Sequence, residues 1–221
     1  MPSCPSIELA QTLIQRLEWK GVLRVGERGE RSSLPMRAIY DPLTWSYGDL
    51  DHPETLAPIL LEQLHILSST TECSLLKLAL WKELATAELS GYLRHLLERQ
   101  WMSGAWAADL LRSIASELEV LPLGKRRYVI WAGVREGSAA FLRSAGDPHT
   151  VYESMLVDMR RRARWIAGDQ SRDFGFVPAQ GWRRSILLSL FVDEITSLGE
   201  QYWQMIPSLK AIEAFAHKAN L

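Results

Sequence analysis

The stretch that most constrains this chain is Asp147 to Gly168, DPHTVYESMLVDMRRRARWIAG. Asp147 is a strong N-cap residue, and Pro148 suits a first helical position, where its missing N–H leaves nothing unsatisfied. Gly168 is placed as the C-terminal stop. At about 100° per residue, Val151, Tyr152, Met155, Leu156, Met159, Ala163 and Ile166 share one arc. A chain holding such a stripe must supply other helices to cover it.

The opposite side of this helix carries Arg160, Arg161 and Arg164. Arg162 falls at the edge of the apolar arc and is expected to pair with Asp158, one turn earlier, in the favoured acid-first order. The other three form a cationic ridge. It reads either as a solvated face near the favourable end of the dipole or as a phosphate-binding surface.

Charge along the chain is uneven although the net charge is only −1. Residues 1–120 hold 11 Lys/Arg against 16 Asp/Glu, net −5, and residues 121–184 hold 12 against 6, net +6. Residues 185–221 hold 2 against 4, net −2. Eleven of the 12 positive charges in the middle block are arginine, which favours multidentate contacts. A boundary at 120/121 is therefore expected between an acidic N-terminal lobe (1–120) and a C-terminal helical lobe (121–221).

Element patterns give a mainly α, two-lobed helical bundle with a small hairpin or two to three short strands. Ser6 caps a helix over 7–20, with Ala10, Leu13, Ile14 and Leu17 on one face. VLRV (22–25) and LPMRAIY (34–40) read as a hairpin around GERGE (26–30). A loop over 41–54 leads to a helix over 53–67, with Leu56, Leu60, Leu64 and Leu67 inward. A long helical stretch over 74–100, broken near Thr86, precedes a helix over 105–120 that turns Trp106, Leu110, Ile114 and Leu118 inward. These three helices are expected to pack as an antiparallel bundle. ELATAELSGYLRHLLERQW resembles the end of a helix-turn-helix, but its turn is several residues too short and Gly91 falls inside the second helix.

LPLGKRR (121–127) reads as a basic turn, YVIWAGV (128–134) as a buried strand, and 138–144 as a short helix. The loop 169–181 interleaves Arg172 with Phe174 and Phe176, a pairing that suits a single strand of nucleic acid or, more simply, two core-anchoring rings. Trp182 to Leu198 is apolar nearly all round and is expected to be a buried helix. Glu194 falls within its arc, so a Glu194–Arg162 ion pair is expected to neutralise it. Ser208 caps a last helix through Leu209, Ile212 and Phe215.

Catalytic signatures are missing. No GxSxG, HExxH, CxxC, P-loop or GxGxxG stands in a usable context, and the five histidines form no i,i+4 pair. Asp49, Asp51 and His52 are read as turn chemistry and not as metal ligands. No cofactor or metal is therefore expected. Cys4 and Cys73 are too few for a disulfide framework, no long uncharged apolar run exists, and MPSCPSIELA lacks a signal-peptide pattern. These point to a cytoplasmic protein outside the membrane. Nine tryptophans are read mainly as core filling, with interface anchoring as the alternative.

The leading expectation is a non-catalytic binding or assembly subunit that engages nucleic-acid phosphates. Its contacts would be Arg126, Arg127, Arg160, Arg161, Arg164, Arg172, Arg183 and Arg184. The alternative is a protein–protein adaptor or complex subunit with exposed tryptophans as anchors; an enzyme of unrecognised type is the third reading.

Overall fold

A computed structural model of the chain describes residues 5–19, 24–25, 45–46, 73–169 and 182–216. Among them the fold is helical. The first four helices are α1 (Ile7–Trp19), α2 (Ser74–Arg99), α3 (Trp106–Ser113) and α4 (Ala115–Glu119). Two long helices follow, α5 (Leu123–Arg143) and α6 (Pro148–Gly168). The last three are short: α7 (Ile186–Ser189), α8 (Gln201–Gln204) and α9 (Leu209–Ala216). Arg24–Val25 and Trp45–Ser46 meet as a two-residue antiparallel ladder. The strand expected at 34–40, the helix at 53–67, the Asp49/Asp51/His52 turn and the loop residues Arg172, Phe174 and Phe176 lie outside the described residues.

Caps set several helix starts as their sequence predicts. Ser6 Oγ accepts from Leu9 N at 3.2 Å, Asp147 Oδ2 from Thr150 N at 2.8 Å, and Ser208 Oγ from Ala211 N at 3.3 Å. The stop of α6 differs from expectation: Gly168 is its last helical residue, and Asp169 closes it by donating its amide to Trp165 O at 3.2 Å.

The expected strand over 128–134 is instead the middle of α5, which runs unbroken for 21 residues. The reason is double-sided burial. One side of α5 faces α2 and the other faces α6, so Leu123, Val129, Ile130, Ala132 and Val134 are all buried and the apolar run loses its helical period. Gly133, inside the expected strand, and Gly137, in the turn-like REGS that follows it, are contact residues. A Cβ built on Gly133 or Gly137 would overlap Met159 Cγ or Met155 Cγ of α6, so the two helices approach as closely as they do because both positions lack a side chain.

The other boundaries shift for local reasons. Thr86 does not break α2; its hydroxyl donates to Lys82 O at 2.9 Å within the turn. The helix expected over 105–120 is split at Ile114, whose φ of −122° ends α3 before α4 begins. The helix expected from Trp182 starts only after Ser185, whose Oγ accepts from Leu188 N at 3.1 Å, and it widens into a π-turn over Leu190–Ile195. Widening the turn slows the rotation per residue. Phe191 and Val192 stay buried while Asp193 and Glu194 swing out to solvent.

One cluster of buried side chains runs from Leu9 to Ile212. It includes Trp81, Leu93, Leu97, Leu110, Ile130, Met155, Phe191 and Tyr202, and it crosses the 120/121 position without a break. No described helix is long and apolar enough to cross a membrane.

Candidate protein-binding face

Residues Val157, Arg161, Arg164 and Trp165 occupy the outer side of α6, at spacings i, i+4, i+7 and i+8. Their inner counterparts, Val151, Met155, Met159, Ala163 and Ile166, are fully buried against α5 and its neighbours. Packing of the inner stripe thus fixes the direction of the outer one. Val157 is 61% exposed and Trp165 45% exposed.

Each arginine of the expected ridge already has a partner. Arg160 donates to Ser113 O at 2.9 Å, and its Nε lies 3.8 Å from Glu117 Oε1. Arg164 reaches the same Glu117 oxygen at 3.5 Å. Ser116 Oγ, 2.8 Å from Glu117 Oε2, holds the Glu117 carboxyl below its ordinary range, and the two arginines add to that pull. Arg161 pairs with Asp158 Oδ1. Arg162 Nε donates to Asp158 Oδ2 at 2.6 Å, and its NH1 lies 3.4 Å from Tyr128 OH. Asp158 is buried, so its two partners serve to neutralise it.

The expected Glu194–Arg162 pair is not formed. Glu194 is exposed on the π-turn and needs no counter-charge, while Arg162 is already held by Asp158 and Tyr128. A shallow groove of about 420 Å³ opens beside Val157, lined by Glu136, Glu153, Ser154, Asp158 and Arg161. Carboxylates outnumber guanidiniums there.

Two residues of the expected phosphate-binding set are not on the surface at all. Arg126 is buried and donates from Nε to Leu121 O at 2.7 Å and from NH2 to Glu119 O at 3.0 Å, covering carbonyls left open where α4 ends. Arg127 is buried against α2. Its NH2 donates to Glu88 Oε1 at 3.0 Å, and its Cζ lies 4.3 Å from the Trp203 ring centroid and 5.0 Å from that of Tyr92. Burial pushes both guanidiniums below their ordinary pKa. These arginines are interior because α5 is a core helix and not a basic turn.

Glu88 is the hub of this interior cluster. It is fully buried, and Trp182 Nε1 also donates to its Oε1 at 2.8 Å. Burial raises the Glu88 pKa against the opposing pull of Arg127 and Trp182. Among the described residues Glu88 Oε2 and Arg127 Nε have no hydrogen-bond partner, so the pair is single-pointed and not a bidentate fork. Sequence reasoning missed it, yet the signal was present: Glu88 stands seven residues after Trp81 and four before Tyr92, inside a buried arc.

The remaining expected contacts are divided. Arg183 is exposed, and Arg184 NH1 is held by Asp193 Oδ2 at 3.0 Å. No described ion pair or hydrogen bond joins them to the α6 ridge. Among the described residues no group of three or more His, Cys, Asp or Glu is placed to hold a metal ion. Comparison with protein-family models, with curated proteins and with solved structures finds no match.

Proposed function

We propose that the protein is a non-catalytic adaptor or complex subunit that binds a protein partner on the outer face of α6, in keeping with the cytoplasmic setting expected from sequence. One observation carries this reading. The arginines of the ridge share Asp158 and Glu117 as partners, while Val157 and Trp165 stand exposed on the same face. Exposed tryptophan and arginine around an apolar residue is the composition of protein-interface anchors, with charges set at the rim. A polyanion needs a surplus of positive charge. This face instead interleaves Arg160, Arg161, Arg162 and Arg164 with Glu117, Glu136, Glu153 and Asp158.

The test places a photo-crosslinking residue at Val157 and, as a control, at exposed Lys82 on α2, in the cells that make the protein. A discrete protein adduct at 157, missing at 82 and lost with Trp165→Asp, is the expected result. A parallel titration with labelled DNA and RNA at two salt concentrations covers the other reading. Salt-sensitive nucleic-acid binding that Arg161→Glu/Arg164→Glu abolishes, with no protein adduct, would overturn the proposal.

A further inference from the structure

The first turn of α2 carries a lysine where the physics of the helix opposes its charge. Lys77 is only 2% exposed, and it stands at the N-terminal end of a 26-residue helix, where the dipole is positive. That turn holds no acidic residue. Burial lowers the Lys77 pKa, and the Cys73 sulfur lies close enough to pull the other way. The net effect is a larger share of neutral, nucleophilic amine.

Side chains on a helix lean back toward its N-terminus and meet neighbours three and four positions away. The Lys77 stem is therefore directed over the turn that holds Ser74 and Cys73. One turn further along α2 stands Trp81, fully buried and stacked on Tyr202 at 5.8 Å, which closes the core side of this spot. Ser74 Oγ is buried and has no hydrogen-bond partner among the described residues. Cys73 is half-buried and keeps some contact with solvent, so a small solute reaches its sulfur. Thiol, hydroxyl and amine are thus gathered within one helical turn.

We propose that Cys73 and Lys77 form a redox modification site, in which hydrogen peroxide oxidises the thiol and the amine captures the product as a sulfur–nitrogen bond. In the first step the Cys73 thiolate attacks one peroxide oxygen, the O–O bond breaks, and the chain is left with a sulfenic acid while the second oxygen departs as water. Sulfur is oxidised and peroxide is reduced. In the second step the Lys77 lone pair attacks sulfur and the S–O bond breaks. The hydroxide leaves with the proton that nitrogen gives up, again as water, so this step needs no further oxidant. The unpartnered Ser74 hydroxyl is the group in this turn that can donate to the leaving oxygen. The product is a sulfenamide, which two equivalents of an external thiol return to thiol and amine, leaving the disulfide of that thiol. An amine held one turn away captures the sulfenic acid far faster than a reagent in solution. The inference does not rest on the α6 face.

The experiment treats the full chain, in a Cys4→Ser background so that Cys73 is its sole thiol, with hydrogen peroxide and the sulfenic-acid reagent dimedone. Intact mass and peptide maps give the readout. With Lys77 present, the expected product is lighter by two hydrogen atoms, resists trypsin at Lys77, carries little dimedone and reverts with dithiothreitol. Lys77→Met keeps a long stem in the buried site, and Lys77→Arg keeps stem and charge; neither offers a nucleophilic amine. In either variant the dimedone adduct at Cys73 should rise by about tenfold or more, with circular dichroism checking that the helices are retained. A Cys73 that peroxide leaves unmodified would overturn the proposal. So would equal dimedone labelling with and without the Lys77 amine, or a Cys73–Cys73 disulfide between two chains as the main product.

Discussion

Replacing Gly133 with alanine should destabilise the protein, against what helix propensity alone predicts. Gly133 lies in the interior of α5, where alanine is worth roughly 1 kcal/mol more than glycine. A Cβ there, however, would overlap Met159 Cγ and come within 2.7 Å of Met159 Cε. The methyl at Cε can rotate away. Cγ moves only with χ1, and a new χ1 rotamer has no room in this packed contact, so α5 and α6 must separate. Inserting a methyl into a packed core costs typically 1–3 kcal/mol, and here the upper part of that range applies because two helices move. Subtracting the propensity gain leaves a net loss of about 1–2 kcal/mol, or a Tm lower by roughly 2–8 °C for a chain of this length. Urea unfolding of the full chain measures it. Met159→Ala should be destabilising alone, yet the double variant Gly133→Ala/Met159→Ala should be less destabilised than the two losses combined, since the added methyl then fills the vacated space. A Gly133→Ala protein more stable than wild type would refute the close-approach argument outright.

Glu88→Ala should cost about 3–5 kcal/mol, because it strands the buried Arg127 guanidinium and the Trp182 indole N–H together; equilibrium unfolding reads the loss, and a change under 1 kcal/mol would mean that the pair is not buried. Asp147 titrates with an opposite sign to Glu88. The Thr150 hydroxyl and amide hold its carboxyl below the ordinary aspartate range, so its share of stability is present above that range and lost as pH falls through the folded pKa. Asp147→Asn keeps a capping oxygen without the titration, and its acid limb in a stability-against-pH profile should be shallower than that of wild type.

Local grammar was legible and double-sided burial was not. The caps at Ser6, Asp147 and Ser208, the inner stripe of α6 and the Arg162–Asp158 pair follow from rules that act within one or two turns. The segment 128–134 was misread because a helix packed on two sides shows no polar face, and a short apolar run of β-branched and aromatic residues then imitates a strand. Gly137, in the turn-like REGS, misleads for a related reason. A glycine that marks a turn and a glycine that marks a close crossing look alike until the second helix is in place. Glu194 and Glu88 make the sharpest comparison. Both interrupt apolar arcs, so the same argument about an uncompensated carboxylate applied to each. At Glu194 a π-turn rotates the side chain out to water; at Glu88 the helix stays regular and the carboxylate is buried beside Arg127.

The uneven charge of the sequence is in large part consumed within the fold. Glu88 and Glu117 belong to the acidic residues 1–120, and their partners Arg127, Arg160 and Arg164 belong to the basic block 121–184. Arg184 of that block is likewise paired with Asp193 beyond it, Arg126 is buried on backbone carbonyls, and Asp158 within the block is shared by Arg161 and Arg162. A net +6 over 121–184 therefore does not become a +6 surface, since its charges lie interleaved with carboxylates or inside the core. Electrostatic complementarity between the halves of the chain acts here as a folding constraint: the apolar contacts between α2, α5 and α6 are non-directional, and the pairs favour one alignment over its neighbours. Beside these paired charges, exposed apolar groups are prominent on the surface. Val157 and Trp165 on α6 and Trp101, Phe141 and Leu142 at the α2–α5 end stand out from a surface whose charges are largely paired. Partner contacts at such sites would be driven by burial of indole and aliphatic surface, with a weak dependence on salt, which is the behaviour that separates this account from phosphate binding in a single titration.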